Sequence, residues 1–234
     1  MTLPKNCHEC PVWKKSLFRD FDLSLVDWLA QRKKWRSFNK KDSLFSQSQR
    51  VDGIFCHLNG LAKVVQTDSV GKVRFSRFVL PGDTSGHRSL FIETTYKGTA
   101  NVVSDNLQAC FIQKEDISFL LSNNVSFAKN LVAKISVELN RSEEDKISIK
   151  EKTVRTRLAC LIYDLCNEYS DKVSETQFVI KSEITKRDIA SLLLVANETV
   201  IRLMSEMKME GLISYKDKKI RVNDLDKIKK ISRL

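Results

Sequence analysis

Between Ser43 and Gln113, apolar residues occur in short runs that are separated by turn signals. The turn signals are short clusters rich in Gly, Asp, Asn and Pro, at 52–53, 59–60, 68–71 and 81–83. Short apolar runs bounded in this way are typical of strands in a sandwich or a rolled barrel. The runs predict strands over 54–58, 61–66, 72–80, 99–104 and 107–113. One β domain is therefore expected, preceded by an amphipathic helix over 22–33.

Beyond Asn124 the pattern changes to that of a long helix. Residues 125–149 contain neither Gly nor Pro, and apolar residues recur every four positions at Phe127, Leu131, Ile135 and Leu139. A helix of this length extends for about 37 Å, more than a small domain needs to cover its core. We therefore predict that this stripe forms a dimer seam with a second copy of the chain. The alternative is that the stripe packs only on the β domain of its own chain.

The last third of the chain predicts a helix-turn-helix followed by a wing. Apolar residues over 154–169 recur at helical spacing, and the polar stretch 170–176 is expected to be a loop. Thr185 is a candidate N-cap for a short helix, and a second helix is expected over 197–210, ended by Gly211. Beyond it, 212–215 and 219–222 predict a hairpin whose tip is basic.

The polar face of the second helix carries side chains able to contact the edges of DNA bases. Its members are Asn197, Glu198, Ile201, Arg202, Ser205 and Lys208. Arg can donate two hydrogen bonds to guanine, Glu can accept one from the cytosine amino group, and an apolar side chain can meet the thymine methyl. With Lys218 of the hairpin tip resting on phosphates, the segment predicts a DNA-binding unit. The alternative is an ordinary helical hairpin with a solvated polar face.

The charge balance agrees with a polyanionic partner. The 234 residues include 40 Lys and Arg against 29 Asp and Glu, which gives a formal net charge of +11. No apolar stretch approaches the ~20 residues that cross a bilayer, and the start lacks the apolar region of a secretory signal, so a cytoplasmic protein without membrane contact is expected. The three histidines lie in no nucleophile or metal motif, and no phosphate-binding glycine loop is present, so no enzyme is expected.

The order of β domain, long helix, helix-turn-helix and wing resembles the cyclic-AMP receptor and fumarate–nitrate regulator (Crp/Fnr) family of bacterial transcription factors. Segments 184–189 and 197–202 are similar to the family's two helix-turn-helix motifs, and 154–159 to the first helix of its DNA-binding domain. The resemblance implies an α+β fold with an N-terminal β-roll, a cyclic-nucleotide-binding-like jelly roll, then a long dimerisation helix and a C-terminal winged helix-turn-helix. The corresponding domain bounds are 1–122, 123–150 and 151–234.

The same resemblance implies roles for single residues and for partners. Glu198 and Arg202 fall on the family's base-reading positions, and Lys186 falls on a phosphate-contacting one. The implied protein is a homodimer that binds double-stranded DNA at a two-fold symmetric site and contacts RNA polymerase. Leu194 stands where many members have Gly in the turn, and Ala196 stands where Ser or Thr usually caps the recognition helix, which costs about 1 kcal/mol.

The effector site departs further from the cyclic-nucleotide-binding members. Segment 80–83 with Gly86 looks like the turn that opens their effector cassette, but those members then carry Glu for the ribose and an Arg-Ser or Arg-Thr pair for the phosphate. This chain has His87-Arg88 and Lys97-Gly98-Thr99 instead, and Lys is a poor substitute for a bidentate Arg fork. We expect an effector pocket formed by Gly86, His87, Arg88, Lys97 and Thr99 that does not take cyclic AMP. A cyclic-nucleotide regulator with an atypical pocket is the alternative.

The cysteines open a second alternative. Cys7-His8-Glu9-Cys10 resembles the N-terminal motif that ligates an iron-sulfur cluster in the oxygen-sensing branch of the family, and Cys110 aligns with the distant fourth cysteine. The third cysteine, expected six residues after Cys10, is Ser16, whereas four thiolates are the usual complement. A redox-sensing or metal-dependent protein using Cys7, Cys10 and Cys110 is therefore the competing hypothesis, and the sequence names no effector, operator or target gene.

Overall fold

The computed structural model describes residue 4 and residues 7–92 and 94–232. The chain divides into two compact units, unit 1 up to Asn140 and unit 2 from Arg141 onwards. Within the described ranges, every helix is too short or too polar to span a lipid bilayer.

Unit 1 contains two four-stranded antiparallel sheets with helices around them. The strands are β1 (Lys34–Asn39), β2 (Ser43–Phe45), β3 (Gly53–His57), β4 (Ala62–Thr67), β5 (Val73–Val79), β6 (Thr84–Ser85), β7 (Thr99–Val102) and β8 (Asn106–Gln113). The helices are a 3-10 turn (Trp13–Lys15), α1 (Leu23–Arg32), α2 (His87–Leu90), α3 (Lys114–Asn123) and the first part of α4 (Val125–Glu151). The sheet orders are β1-β8-β3-β6 and β2-β7-β4-β5, which is the topology of a β-roll.

The strand register of unit 1 separates an aromatic interior from a cysteine-bearing outer face. Cross-strand partners point to the same side of a sheet, and neighbours along a strand point to opposite sides. Phe55 of β3 pairs with Phe111 of β8, and the two rings lie 5.0 Å apart. The next pair along the strands, Cys56 and Cys110, therefore points to the other face of the sheet. The cysteine face is covered by α1 and the segment before it.

The first half of the predicted dimer stripe is buried within unit 1, which corrects the prediction made for it. Phe127 is fully buried, stacked on Phe18 with ring centroids 5.6 Å apart, and Leu131 belongs to the same core. Ile135 and Leu139 are exposed. Because residues four apart on a helix are rotated by about 40°, a stripe with that spacing turns gradually around the helix. It therefore begins on the core face and ends on the free surface, and Phe127 and Leu131 belong to no seam.

Unit 2 contains the predicted helices and hairpin. Its remaining helices are α5 (Val154–Glu168), α6 (Lys186–Leu193), α7 (Asn197–Met209) and α8 (Leu225–Ser232), and its strands are β9 (Ser170–Lys172), β10 (Phe178–Ile180), β11 (Ile213–Lys216) and β12 (Lys219–Val222). The four strands form one sheet in the order β11-β12-β10-β9. The loop expected over 170–176 was wrong in its first part, since 170–172 is an edge strand paired with β10.

Candidate DNA interface and effector site

The first helix of the helix-turn-helix begins as the sequence predicts. The Thr185 hydroxyl accepts a hydrogen bond from the backbone N–H of Asp188 at 3.1 Å, and Asp188 lies in the first helical turn, where its charge suits the helix dipole. Ile189, Ala190 and Leu193 face the core of unit 2. The cap therefore fixes where α6 starts, and the apolar side fixes its orientation.

The turn between α6 and α7 holds both residues that depart from the family pattern. Leu194 adopts a left-handed conformation, with φ 56° and ψ 47°, which costs an L-residue with a side chain about 1–2 kcal/mol. Its side chain is exposed and gains little packing in return. Ala196 caps α7 in an extended conformation and offers no side-chain acceptor. The turn geometry is thus the one that Gly and a hydroxyl residue would favour, and the backbone N–H of Val195 closes it by donating to the Ala190 carbonyl at 3.0 Å.

The second helix presents a free polar face. Val200, Leu203, Met204 and Met207 form its buried side. On the other side Glu198, Ile201, Arg202 and Lys208 are exposed, as predicted. Two members of the predicted set are less free: the Ser205 hydroxyl donates to the Ile201 carbonyl at 2.9 Å, and Asn197 is only half-exposed.

An ion-pair chain along α7 restrains one of the base-reading candidates. The Arg202 Nη1 lies 2.6 Å from Glu206 Oε1. Glu206 is also 3.9 Å from Arg155 of α5, whose guanidinium contacts both carboxylate oxygens of Glu210 at 2.8 and 2.5 Å. The hydrogen bonds from Arg155 lower the pKa of Glu210. Sequence reasoning missed Arg155 and Glu206, because only the fold brings α5 beside the end of α7.

The wing forms a tight hairpin without glycine. Lys216 pairs with Lys219, so Asp217 and Lys218 make a two-residue loop, and both have positive φ, at 49° and 64°. Such loops match the twist of the strands they join. Lys218 is exposed at the tip, and the Lys186 ammonium lies 6.0 Å from the ring of Tyr215 on the first wing strand. Cationic side chains from the wing and from α6 therefore flank the free face of α7.

In unit 1, two of the predicted effector residues, His87 and Arg88, are bound to the long helix. Gly86, with φ 88°, precedes α2. His87 Nε2 is 3.0 Å from the Glu138 carboxylate of α4, and Arg88 Nε donates to the same oxygen at 2.8 Å. Burial opposes ionisation of Glu138, but the hydrogen bond and charge of His87, with Arg77 and Arg88, hold its pKa well below the ordinary value. The positive charge of Arg88 is thus compensated by a carboxylate of the same chain.

The five predicted effector residues have separate partners, and none of them lines the 570 Å³ cavity of the roll, so an effector pocket built from them stays a prediction. The Thr99 hydroxyl accepts from the backbone N–H of Gln47 at 3.0 Å, while the backbone N–H of Lys97 donates to the Ser89 hydroxyl at 3.1 Å. A cavity of about 570 Å³ lies elsewhere in the roll and is lined by none of the five. Aligning the sequence with the family's effector cassette shows which residues occupy its positions. It does not show which hydrogen bonds those residues make within this chain.

The cysteines converge more than the sequence suggests, but their setting does not fit a cluster. Cys7, Cys10, Cys56 and Cys110 line a cavity of about 30 Å³, together with Ser16. The Lys33 ammonium donates to Cys7 Sγ at 3.3 Å. Burial raises the pKa of each of these thiols, that of Cys110 to about 12.

The cavity has room for about one or two water molecules, which is too little space for an iron-sulfur cluster. Among the described residues, no group of three His, Cys, Asp or Glu side chains is arranged to hold a metal ion. The alignment of Cys56 with Cys110 across two strands is visible only in the register. The predicted Cys7, Cys10 and Cys110 site is therefore a buried thiol cluster in this structure, and its donors do not fit an iron-sulfur group.

A buried histidine gives unit 1 a predictable pH dependence. His57 is fully buried, with Nε2 2.8 Å from the Ser85 hydroxyl, and burial lowers its pKa from 6.5 to about 3. The unfolded chain takes up this proton near pH 6.5 and the folded chain does not, so the contribution of His57 is complete above pH 6.5 and is lost as the pH falls towards 3. We expect unit 1 to lose about 2 kcal/mol of unfolding free energy between pH 7 and pH 5 from this residue.

Urea titrations followed by tryptophan fluorescence measure this effect, since all three tryptophans, at 13, 28 and 35, lie in unit 1. His57→Gln is expected to flatten the pH dependence, leaving the smaller contribution of His87, whose pKa burial also lowers. The exposed His8→Gln serves as the matched control and should behave as the unchanged protein. Equal slopes for the two variants would contradict the assignment.

Comparisons with known proteins cover both units. Residues 156–231 match the family model of a Crp-like helix-turn-helix domain, and residues 35–124 match that of a cyclic nucleotide-binding domain. The chain is 22% identical over 224 residues to the anaerobic regulatory protein of Pasteurella multocida, covering 94% of this chain and 80% of that protein. It is also 22% identical over 221 residues to the transcriptional activator protein FnrL of Cereibacter sphaeroides, covering 93% of this chain and 88% of that one.

Among solved structures, FixK2 from Bradyrhizobium japonicum has a similar fold. It superposes with a TM-score of 0.72 at 18% identity, covering 85% of this chain and 96% of the other. At this identity the likeness speaks for the fold alone. The two domain matches fall one in each compact unit of the fold.

Proposed function

Because the chain belongs to the Crp/Fnr family of transcription regulators, we propose that it acts as a homodimer that binds a two-fold symmetric DNA site through α7. The helix-turn-helix is a DNA-binding domain of that family, and the family consists of regulators and not of enzymes. The observation that carries the proposal is the exposed face of α7, where the side chains of Glu198, Ile201 and Arg202 are exposed opposite a buried apolar side. A DNA-binding role also implies the cytoplasmic location expected from the sequence.

The chemistry of this face supports direct readout of bases. In the major groove, Arg202 would donate to a guanine, Glu198 would accept from a cytosine amino group, and Ile201 would contact a thymine methyl. Asn197, Ser205 and Lys208 stand at the margins of the same face. To reach a base, Arg202 must first break its ion pair with Glu206. Glu206 would then keep Arg155 as its partner. The proposed phosphate contacts are Lys186 and Lys218, with Arg187, an exposed residue of α6 that sequence reasoning passed over.

The exposed part of α4 supports the homodimer. Val132, Ile135 and Leu139 lie within about 60° of one another around the helix, and each is at least 42% exposed. An apolar row of this kind on a two-fold axis forms a self-complementary interface. A dimer would present two copies of α7, which must sit about 34 Å apart to enter successive major grooves. Contact with RNA polymerase is part of the proposal through family membership.

Control of this regulator is proposed to reside in the β-roll but not to use cyclic AMP. The side chains that would receive a nucleotide phosphate, His87 and Arg88, already bind Glu138, and a second anion there would be repelled by that carboxylate. No ribose acceptor follows Gly86 in the sequence. The space between the cysteines holds about one or two water molecules, so redox control through an iron-sulfur cluster is not proposed.

Two substitutions test the DNA assignment by their contrast. Arg202→Ala is expected to cost about 1–3 kcal/mol on the cognate site, with relaxed preference at one base pair per half-site, because it removes a base contact. Lys218→Ala is expected to weaken cognate and random DNA alike and to lower the salt slope by about 1 per lost phosphate contact. Fluorescence anisotropy on a selected palindrome and on random duplexes, between 50 and 200 mM salt, measures both.

The matched control is Lys172→Ala, which removes an exposed positive charge on β9, the edge strand farthest in the sheet from the wing. It should leave both affinities unchanged. If Arg202→Ala and Lys218→Ala lose equal affinity for cognate and random DNA, α7 does not read bases, and the proposal fails in its central point.

A further inference from the structure

A cavity in unit 1 has a cationic rim and an aromatic interior, and the family motifs do not account for it. It measures about 570 Å³, within the usual range of ~300–1,000 Å³ for small-molecule sites. Its rim carries Lys34, Arg36 and Lys114, all exposed. The effector cassette contributes none of its predicted residues to the lining.

Strand register explains why cations and aromatic rings meet here. Lys34 of β1 pairs with Phe111 of β8, which pairs in turn with Phe55 of β3, so the three side chains lie on one face of the sheet. Arg36 is two residues further along β1 and so points to the same side. Across the interior, the rings of Phe45 and Tyr96 stack with centroids 4.1 Å apart. The cavity therefore leads from a charged mouth to flat apolar walls.

We propose that this cavity binds a small planar aromatic anion. Aromatic walls favour a flat ring by stacking, and charged donors at the mouth favour an acidic substituent that stays close to water. Two carboxylates, Asp52 and Glu115, also line the cavity, but four cations outnumber them, since Arg50 joins the three on the rim. Arg50 is 3.7 Å from Asp52, so that pair compensates itself. Three cations, Lys34, Arg36 and Lys114, then remain against the single carboxylate of Glu115.

The cavity is connected through one side chain to the link between the roll and α4. The Tyr96 hydroxyl donates to the Gly53 carbonyl at 2.9 Å and so forms part of the cavity wall. The Tyr96 ring packs on Gly86, where a Cβ would approach it to 3.1 Å. The next residue, His87, binds Glu138 of α4. A ligand that shifts Tyr96 would therefore act on α4, and this effector role rests on the proposed function of the protein.

Calorimetric titration of the full chain with naphthalene-2-sulfonate tests the site. We expect saturable binding, and binding at least about tenfold weaker for the uncharged naphthalene-2-sulfonamide. Lys34→Gln combined with Arg36→Gln should weaken the sulfonate about tenfold or more, since both cations are exposed and their loss leaves the core intact. The control pair Lys14→Gln with Lys72→Gln removes the same charge from exposed positions outside the cavity and should change nothing.

Three outcomes would overturn the proposal: no saturable binding of the sulfonate, equal binding of the sulfonamide, or equal binding by the rim and control variants. A rim that binds an oligoglutamate peptide but no naphthalene sulfonate would identify a contact surface for an acidic protein and would equally overturn it. Anisotropy on the selected palindrome, without ligand, separates this result from the proposed function. Loss of sulfonate binding with intact DNA binding refutes only the cavity assignment, whereas failure of DNA binding in the unchanged protein refutes the regulator.

Discussion

Replacing Ile135 and Leu139 with glutamate is expected to convert the protein to a monomer and to weaken binding to a palindromic site by at least about 100-fold. Both side chains are exposed on the part of α4 that belongs to unit 1. At a two-fold axis, each substitution would place like charges opposite one another in an apolar contact. A monomer can bind only one half-site of the palindrome, so the affinity that a dimer gains by binding both half-sites at once is lost.

The matched control for this experiment lies on the same helix. Ala133→Glu with Val137→Glu adds the same charge to exposed positions about half a turn away from Ile135. This pair is expected to leave a dimer that binds the palindrome normally. Light scattering coupled to gel filtration gives the oligomeric state, and anisotropy gives the affinity. If the control pair dissociates the protein and the Ile135 and Leu139 pair does not, the interface lies on another face of α4.

Phe127→Ala is expected to lower the free energy of unfolding of unit 1 by about 3–5 kcal/mol without changing the oligomeric state. The Phe127 ring is fully buried between Phe18 and Phe21, with centroid distances of 5.6 and 6.1 Å. Removing it leaves a cavity that the surrounding rings cannot fill. Urea unfolding monitored by tryptophan fluorescence reports the change, and Val137→Ala, at an exposed site on the same helix, is the control.

This experiment also separates the two interpretations of the apolar stripe. A dimer seam at Phe127 would make the substitution dissociate the protein while the monomer kept its stability. A core position, as the structure has it, makes the substitution destabilise each subunit. Dissociation accompanied by a loss of less than about 1 kcal/mol would contradict the burial of this residue.

The DNA-binding half was readable from the sequence because its signals are local. Thr185 caps the helix that it precedes, Gly211 follows the end of the next one, and the wing is a hairpin of consecutive residues. Each element is set by residues within a few positions of it. The left-handed backbone of Leu194 could also be expected from the sequence, because many family members have glycine at this position.

The contacts of unit 1 were harder to predict from the sequence because they join residues that are far apart along the chain. His87 and Glu138 are 51 positions apart, and nothing in the pattern around either one indicates the other. Strand β1 was missed because its residues do not alternate between buried and exposed. Without β1, neither the basic rim at Lys34 and Arg36 nor its alignment with the aromatic interior was predictable. The periodicity of apolar residues shows which face of a single helix or strand is buried. A cavity is formed by several elements, so the pattern of one element does not reveal it.

The carboxylate of Glu138 is a counter-ion for Arg88 that the chain itself supplies. Since Glu138 is tethered to the roll by its own helix, its local concentration beside Arg88 is independent of metabolism. A free anion that is to bind Arg88 must compete with this carboxylate. On the proposed function, a signal that reaches α4 through this contact would have to displace a bond that is already made.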